Sequence, residues 1–239
     1  MKSQYVLPIT IVVAGALIAG AVFLAGKGSS MPPSTTTAEG LRPYTPGVDH
    51  ILGNPAAAVK VVEYMDLECP HCKIFNTTMH QIMEYYGQSG KVAWVQRPFP
   101  LAQIHSKAPQ EAQAAECAAE QGGDTAYFAY TDKLFEITPS DNGLDLAQLP
   151  IIAEQVGLNV ATFNACMSSG KFNEKVTASY NEAIKAGAQG TPYTVIMVGT
   201  DTVVLNGAQP YDSMRAAIDS LLNDLGTPVN PTISTTTQQ

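Results

Sequence analysis

The stretch Glu68-Cys69-Pro70-His71-Cys72-Lys73 limits what this chain can fold into more than any other. It follows directly on an apolar, β-branched run, Val59 to Asp66, and opens a run in which Ile74, Phe75, Met79, Ile82, Met83 and Tyr86 recur at helical spacing until Gly87 and Gly90 close it. The first run reads as a buried strand and the second as an amphipathic helix. A cysteine pair with two residues between its members therefore sits where a strand turns into a helix. There it can exchange with an outside disulfide, brace the turn or hold a metal.

The remaining pattern fits around that junction. Lys91 to Arg97 reads as a second strand, ended by Pro98 and Pro100. A helical block follows, with patches at Ser106 to Gln121, Tyr127 to Ile137, Leu146 to Val156, Val160 to Ser169 and Phe172 to Ala186, punctuated by Gly122-Gly123, Pro139 to Gly143, Gly157 and Gly170. Strand signals return at Tyr193 to Val198 and Thr202 to Leu205, joined by Gly199-Thr200-Asp201 as a hairpin turn, and a last helix runs from about Tyr211 to Leu225. A strand-helix-strand crossover gives parallel strands, and a hairpin adds antiparallel ones. The expected fold is α/β, a mixed sheet flanked by helices with an inserted all-helical subdomain.

The flanks read differently. Tyr5 to Gly26 carries no charge, and as a helix these ~22 residues would span about 33 Å, close to the hydrocarbon thickness of a bilayer. Residues 1–27 are expected to be a membrane anchor, with a cleaved signal peptide as the rival because small residues such as Ala19, Ala21 and Ala25 could serve a peptidase. Residues 28–50, rich in Ser, Thr, Pro and Gly, are expected to be a flexible linker, 51–226 the folded domain with its helical insertion over about 102–188, and 227–239 a disordered tail. The expected location is the cell membrane, single-pass, with the folded domain on the periplasmic or extracellular face. With 13 Lys+Arg against 21 Asp+Glu and no basic run, nucleic-acid binding is excluded.

The chemistry follows from position. A thiolate, not a thiol, attacks a disulfide, and a cysteine at a helix start has unpaired backbone N–H groups and the positive end of the helix dipole beside it. Cys69 should ionise readily; Cys72, one turn on, should be more buried and act as the resolving thiol. Pro70 fits the first helical turn, and His71 offers a cation or an N–H donor to the same sulfur. Stabilising the Cys69 thiolate stabilises the reduced pair and makes the disulfide an oxidant. Haem attachment needs His after the second cysteine, where Lys73 stands, and zinc needs a second pair at ligand spacing, so no metal and no cofactor are assigned. Cys117 and Cys166 lie on separate helical patches and, in an oxidising compartment, are expected to bond to each other. Such a loop of ~50 residues would stabilise by about 4 kcal/mol in the chain-entropy account. Glu63 is a carboxylate within a buried strand, a costly place unless it is paired, neutral or turned to the strand's wetter side, with a functional role as the other reading. The bond before Pro192, taken alone, favours trans.

Together these residues resemble the DsbA-like thiol–disulfide oxidoreductases of the thioredoxin superfamily, over about Asn54 to Leu225. The resemblance implies a thioredoxin fold with an inserted helical domain and Cys69 as nucleophile. It implies that Pro192 is cis and that, with Thr191, it docks substrate beside the cysteines. It implies that Glu63 is the buried acid serving the resolving cysteine, and that Cys117–Cys166 is a structural disulfide. The implied activity is oxidation of cysteine pairs in reduced secreted or membrane proteins through Cys69–Cys72, in a membrane-tethered monomer reoxidised by a quinone-linked membrane oxidase. Thr191 departs from the valine of the best-known oxidase type, which keeps a reductase or isomerase open; a non-enzymatic anchored binding module is the reading from another class. His50, His80 and His105 read as surface or packing residues.

Overall fold

The computed structural model describes residues 41–199 and 201–226. In chain order the elements are β1 (His50–Gly53), β2 (Val59–Met65), α1 (Pro70–Tyr86), β3 (Val92–Pro98), α2 (Ala108–Ile137), α3 (Gln148–Gln155), α4 (Val160–Ser169), α5 (Asn173–Lys185), β4 (Tyr193–Val198), β5 (Asp201–Asn206) and α6 (Tyr211–Asp224). The strands form one five-stranded sheet in the order β1-β3-β2-β4-β5. β2 and β3 run parallel and the other neighbours antiparallel, as a crossover and a hairpin require.

β2 lies at the centre with both faces covered, which is why its sequence is an almost unbroken apolar run. Strand alternation sends Val59, Val61 and Met65 into the cluster that includes Phe75 and Met79 of α1 and Ile218 of α6, while Val62 and Tyr64 face the opposite cluster with Ala183 of α5. Glu63 shares the face of Val61 and Met65, so the alternation that builds the core also aims a carboxyl group toward α1. On α1 the buried positions Cys72, Phe75, Asn76, Met79, Ile82, Met83 and Tyr86 form one helical stripe. That stripe fixes the rotation of the helix and hence which way its first turn presents the cysteines.

The two helical patches expected on either side of Gly122-Gly123 are two helices that follow each other across a kink, and together they make up α2, 30 residues long. Gly123 takes φ 62° and ψ −151°, open only to glycine, and Gly122 is also non-helical, so the glycine pair ends the first helix and redirects the chain into the second. The Cys117–Cys166 disulfide ties α2 to α4. β1 was not legible: four residues are too short for a period.

Several expectations are corrected. No helix among the described residues is long and apolar enough to cross a membrane; α2 is long but carries Glu116, Asp124 and Lys133 along its length. Tyr5 to Gly26, which carried the anchor expectation, lie outside the described residues, as do 28–40 and the tail from 227. The transmembrane helix, the tethered single-pass location on the periplasmic or extracellular face, the quinone-linked oxidase, and the secreted or membrane-protein clients are not carried forward. The linker does not extend to residue 50: His50 opens β1, and Arg42 and Asp49 belong to a buried charge network.

The centre of that network is Arg97 of β3, 1% exposed. Its guanidinium donates to both Asp49 oxygens at 2.8 and 2.9 Å, to Glu182 Oε1 of α5 at 2.7 Å and to the Tyr64 hydroxyl of β2 at 3.0 Å. Arg42 donates to Asp49 and Glu182 as well, so two cations meet two carboxylates. Removing one partner of such a buried set strands the others without compensation. Arg97→Met is expected to destabilise the protein by about 3 to 5 kcal/mol in urea unfolding; a loss under about 1 kcal/mol would show that the network is dispensable.

Candidate active site

Cys69 is the N-cap of α1, with extended backbone angles (φ −78°, ψ 121°), and Pro70 takes the first helical turn. The Cys69 carbonyl accepts the first helical hydrogen bond, from Lys73 N–H at 3.1 Å, while its side chain caps no backbone N–H. The sulfur therefore lies beside donors that the helix itself leaves unpaired. Its pKa falls to about 5. The largest cause is a hydrogen bond from the Cys72 thiol; burial opposes it, and Thr191 and the backbone N–H groups of Cys72 and His71 add to it. His71 thus acts through its main chain, and its side chain is exposed.

Cys72 is fully buried, and burial, then the hydrogen bond to Cys69 and the charge of that sulfur, push its thiol well above the ordinary value. Only the backbone N–H of Asp66, 3.5 Å from Cys72 Sγ, works the other way among the main influences. The two thiols are thus split into one that ionises readily and one held protonated by their places in one helical turn. Glu63 lies beneath them, 1% exposed, with Oε2 accepting from Trp94 Nε1 at 2.9 Å. Burial raises its carboxyl to about 8, opposed by Trp94 and Gln96 and reinforced by the charge of Cys69. The charge of Glu63 also favours the protonated form of Cys72 through space.

Opposite the cysteines, the Thr191–Pro192 peptide is cis, and the Thr191 carbonyl oxygen lies 3.5 Å from Cys69 Sγ. The structure thereby brings together Cys69, Cys72, Glu63, Thr191 and Pro192 from β2, α1 and the turn into β4. Cys117 and Cys166 are bonded elsewhere, within the insertion. Among the described residues, no cluster of three or more His, Cys, Asp and Glu could hold a metal.

The family described as Thioredoxin matches residues 45–220. The chain belongs to the thioredoxin family. Within it the chain is DsbA-like: it is similar to the crystal structure of Pseudomonas aeruginosa DsbA2, with 27% identity and a TM-score of 0.63 over 77% of this chain and 99% of that one. To Wolbachia pipientis alpha-DsbA1 the identity is 27% and the TM-score 0.65, over 79% and 97% of the two chains. Oxidised BdbD from Bacillus subtilis, at 24% identity and a TM-score of 0.64 over 74% and 94%, shares the fold. Among curated proteins the Na(+)/H(+) antiporter NhaA 1 of Mycolicibacterium gilvum is 30% identical over 76% of this chain, which spans only 28% of that antiporter's length. With its cysteine pair, this thioredoxin-family protein is a protein thiol–disulfide oxidoreductase.

The same loop holds residues that the sequence did not single out. Asp66 is a hub: its carbonyl accepts Cys69 N–H at 3.1 Å, its N–H faces Cys72 Sγ, and its carboxylate accepts Glu68 N–H at 2.8 Å and Leu101 N–H at 2.7 Å. His105 Nδ1 lies 3.0 Å from that carboxylate. Burial works against the imidazolium, yet the bond to Asp66 raises its pKa. His105 is therefore not the ordinary residue expected of it. The available signal was a pair of acids immediately before the CxxC in an otherwise apolar run.

The Cys69 shift has a sign that stability can read. A group depressed on folding stabilises above its unfolded pKa, and that contribution is lost as pH falls through the folded value. Only the reduced form has it, so at about pH 7 reduced protein should melt above the disulfide form, with the gap closing as pH falls through about 5. A gap that does not change with pH would contradict the ionised Cys69.

Proposed function

We propose that this oxidoreductase works mainly as a disulfide donor, with Cys69 as the exchanging sulfur and Cys72 as the resolving one. The observation that carries the reading is the opposite behaviour of the two thiols: Cys69 is drawn down to about 5, while Cys72 is pushed up. A dithiol reduced to a stabilised thiolate makes its disulfide the stronger oxidant.

In the forward direction a substrate thiolate attacks Cys69 Sγ of the Cys69–Cys72 disulfide. A bond forms between substrate sulfur and Cys69, and the Cys72 sulfur leaves with the electron pair. Buried and with a high affinity for protons, Cys72 takes one, and Glu63, near 8, is the acid suited to relay it. The second substrate thiolate then attacks the substrate sulfur of the mixed disulfide, and Cys69 leaves as its stable thiolate. The substrate has lost two electrons and closed its own disulfide; the enzyme holds them as a Cys69 thiolate and a Cys72 thiol. The Thr191–Pro192 turn, facing Cys69, is the natural place for substrate main chain to lie during the mixed-disulfide stage.

A specific feature favours keeping the reverse direction in view: Glu63 could equally remove the Cys72 proton when reduced enzyme attacks an outside disulfide. The potential separates them. Equilibration with glutathione should put the Cys69–Cys72 couple nearer about −120 mV than about −270 mV. Cys72→Ala should accumulate a mixed disulfide with a model peptide that carries a disulfide, the Cys69 thiolate attacking it and one peptide thiol leaving, and Cys69→Ala should not. A couple near the lower potential would assign the protein to reduction, and a Cys72→Ala variant that traps nothing would remove Cys69 from the nucleophile role.

A further inference from the structure

Glu68, immediately before Cys69, and Glu111, in the first turn of α2, are both 0% exposed. Their carboxyl groups lie within hydrogen-bond reach of each other. Glu68 Oε2 accepts Asn142 N–H at 2.6 Å, but no described N–H or O–H reaches Glu68 Oε1 or either oxygen of Glu111. Two carboxylates are acceptors only, so three sealed oxygens without donors are an arrangement that a folded protein avoids.

The surrounding cations are already engaged. Lys107 spends Nζ on the carbonyl oxygens of Asn142 and Leu144. His105 faces Asp66 at 3.0 Å and Asp141 at 3.6 Å. Asp66 and the Cys69 thiolate add further negative charge around the loop, and the Tyr130 hydroxyl, which feels Glu111, donates elsewhere, to the Leu149 carbonyl. The Lys107 charge favours the Glu111 carboxylate, but burial and the neighbouring Glu68 and Asp66 outweigh it.

We propose that Glu68 and Glu111 share one proton, and that this carboxyl–carboxylate bridge holds the helical insertion on the loop that carries Cys69. The bridge accounts for two of the three orphaned oxygens, Glu68 Oε1 and one oxygen of Glu111, since the proton supplies the missing donor between them. It also has a mechanical setting. The Glu68 carbonyl accepts Asp141 N–H at 2.9 Å, and its carboxyl accepts Asn142 N–H, from a segment in which Ser140, Asp141 and Asn142 all have φ between 52° and 65°. Three consecutive non-glycine residues in the left-handed region need outside support. Glu68 supplies it, and Glu111 fixes Glu68. Glu111 is thus a positioning residue, one step removed from the reacting sulfur. Burial, then the facing Glu68, push its carboxyl up to about 10.

The test compares wild type with Glu111→Gln and Glu68→Gln, whose amides keep a donor between the groups without the proton. A carboxyl raised on folding contributes stability that is full below its unfolded pKa and is lost as pH rises toward the folded one. In urea unfolding of the reduced full chain between about pH 6 and pH 9, the wild-type unfolding constant should rise relative to Glu111→Gln by up to about tenfold per pH unit. The same variant should leave the Cys69 thiolate midpoint in place, because a proton-sharing pair and a carboxylate–amide pair carry the same single charge. A pH-independent ratio, or a Cys69 midpoint that drops in Glu111→Gln, would mean two charged carboxylates and overturn the proposal. Failure of both amide variants to fold would overturn it as well, since each retains the hydrogen bond. The unfolding measurement needs no exchange activity, so its failure is distinguishable from failure of the disulfide-donor reading.

Discussion

The rest of this structure depends on one sulfur at one helix terminus. Cys69 caps α1 through its carbonyl oxygen alone, with no side-chain oxygen to take the other free N–H groups, and the donors that remain favour its thiolate. Helix starts favour negative charge because several N–H groups there have no intrahelical partner. Here the Cys72 thiol joins them as the largest contribution, outweighing the burial that would otherwise keep the sulfur neutral. The same turn hides Cys72 completely. Chemical asymmetry between two identical side chains is therefore a consequence of helix geometry and of the buried stripe that sets the rotation of α1.

Holding that terminus in place is the work of the surrounding frame. The central strand delivers Glu63 beneath the cysteines and ends at Asp66, whose main chain and carboxylate bind both cysteines, Glu68, Leu101 and His105. From the insertion, Lys73 is caught by the Thr138 carbonyl at 2.7 Å, and the 140–142 segment is held by Glu68. From the other side of the sheet, the turn at Thr191–Pro192 faces Cys69. The insertion is thus not only a cover; it contacts the active-site loop on both sides of the cysteines in sequence. Charge is central to this frame: Asp66, Glu68, Glu111 and His105 are all buried within it.

Much of this was legible in sequence because it is periodic or local. The β2 run, the α1 stripe, the returning hairpin and the cysteine spacing carry their own signals, and β2 to α1 is the junction at which helix-start chemistry can be read directly. What was not legible depends on contacts distant in sequence. Asp66 and His105 meet across 39 positions, and Glu68 meets Asn142 across 74, so no window could relate them. The family resemblance, and not the residues, gave the cis Thr191–Pro192 bond, since a bare X-Pro pair favours trans. The ring of His71 is exposed, and it is the His71 backbone N–H that favours the Cys69 thiolate in this structure. β1 escaped notice for its brevity, and Arg42 and Asp49 because a Pro- and Gly-rich approach conceals that they pair with Arg97. The anchor expectation came from hydropathy alone and found no support in any described helix.

The central claim is that backbone and thiol donors at the start of α1 hold Cys69 as a thiolate. It is tested most directly by following thiolate ultraviolet absorbance of the reduced protein across pH, with Cys69→Ser as the blank. The account predicts a single ionisation assigned to Cys69 with a midpoint near 5, and no second thiol ionising below the ordinary cysteine value. A midpoint near about 8.5, the value of an unperturbed thiol, would contradict it.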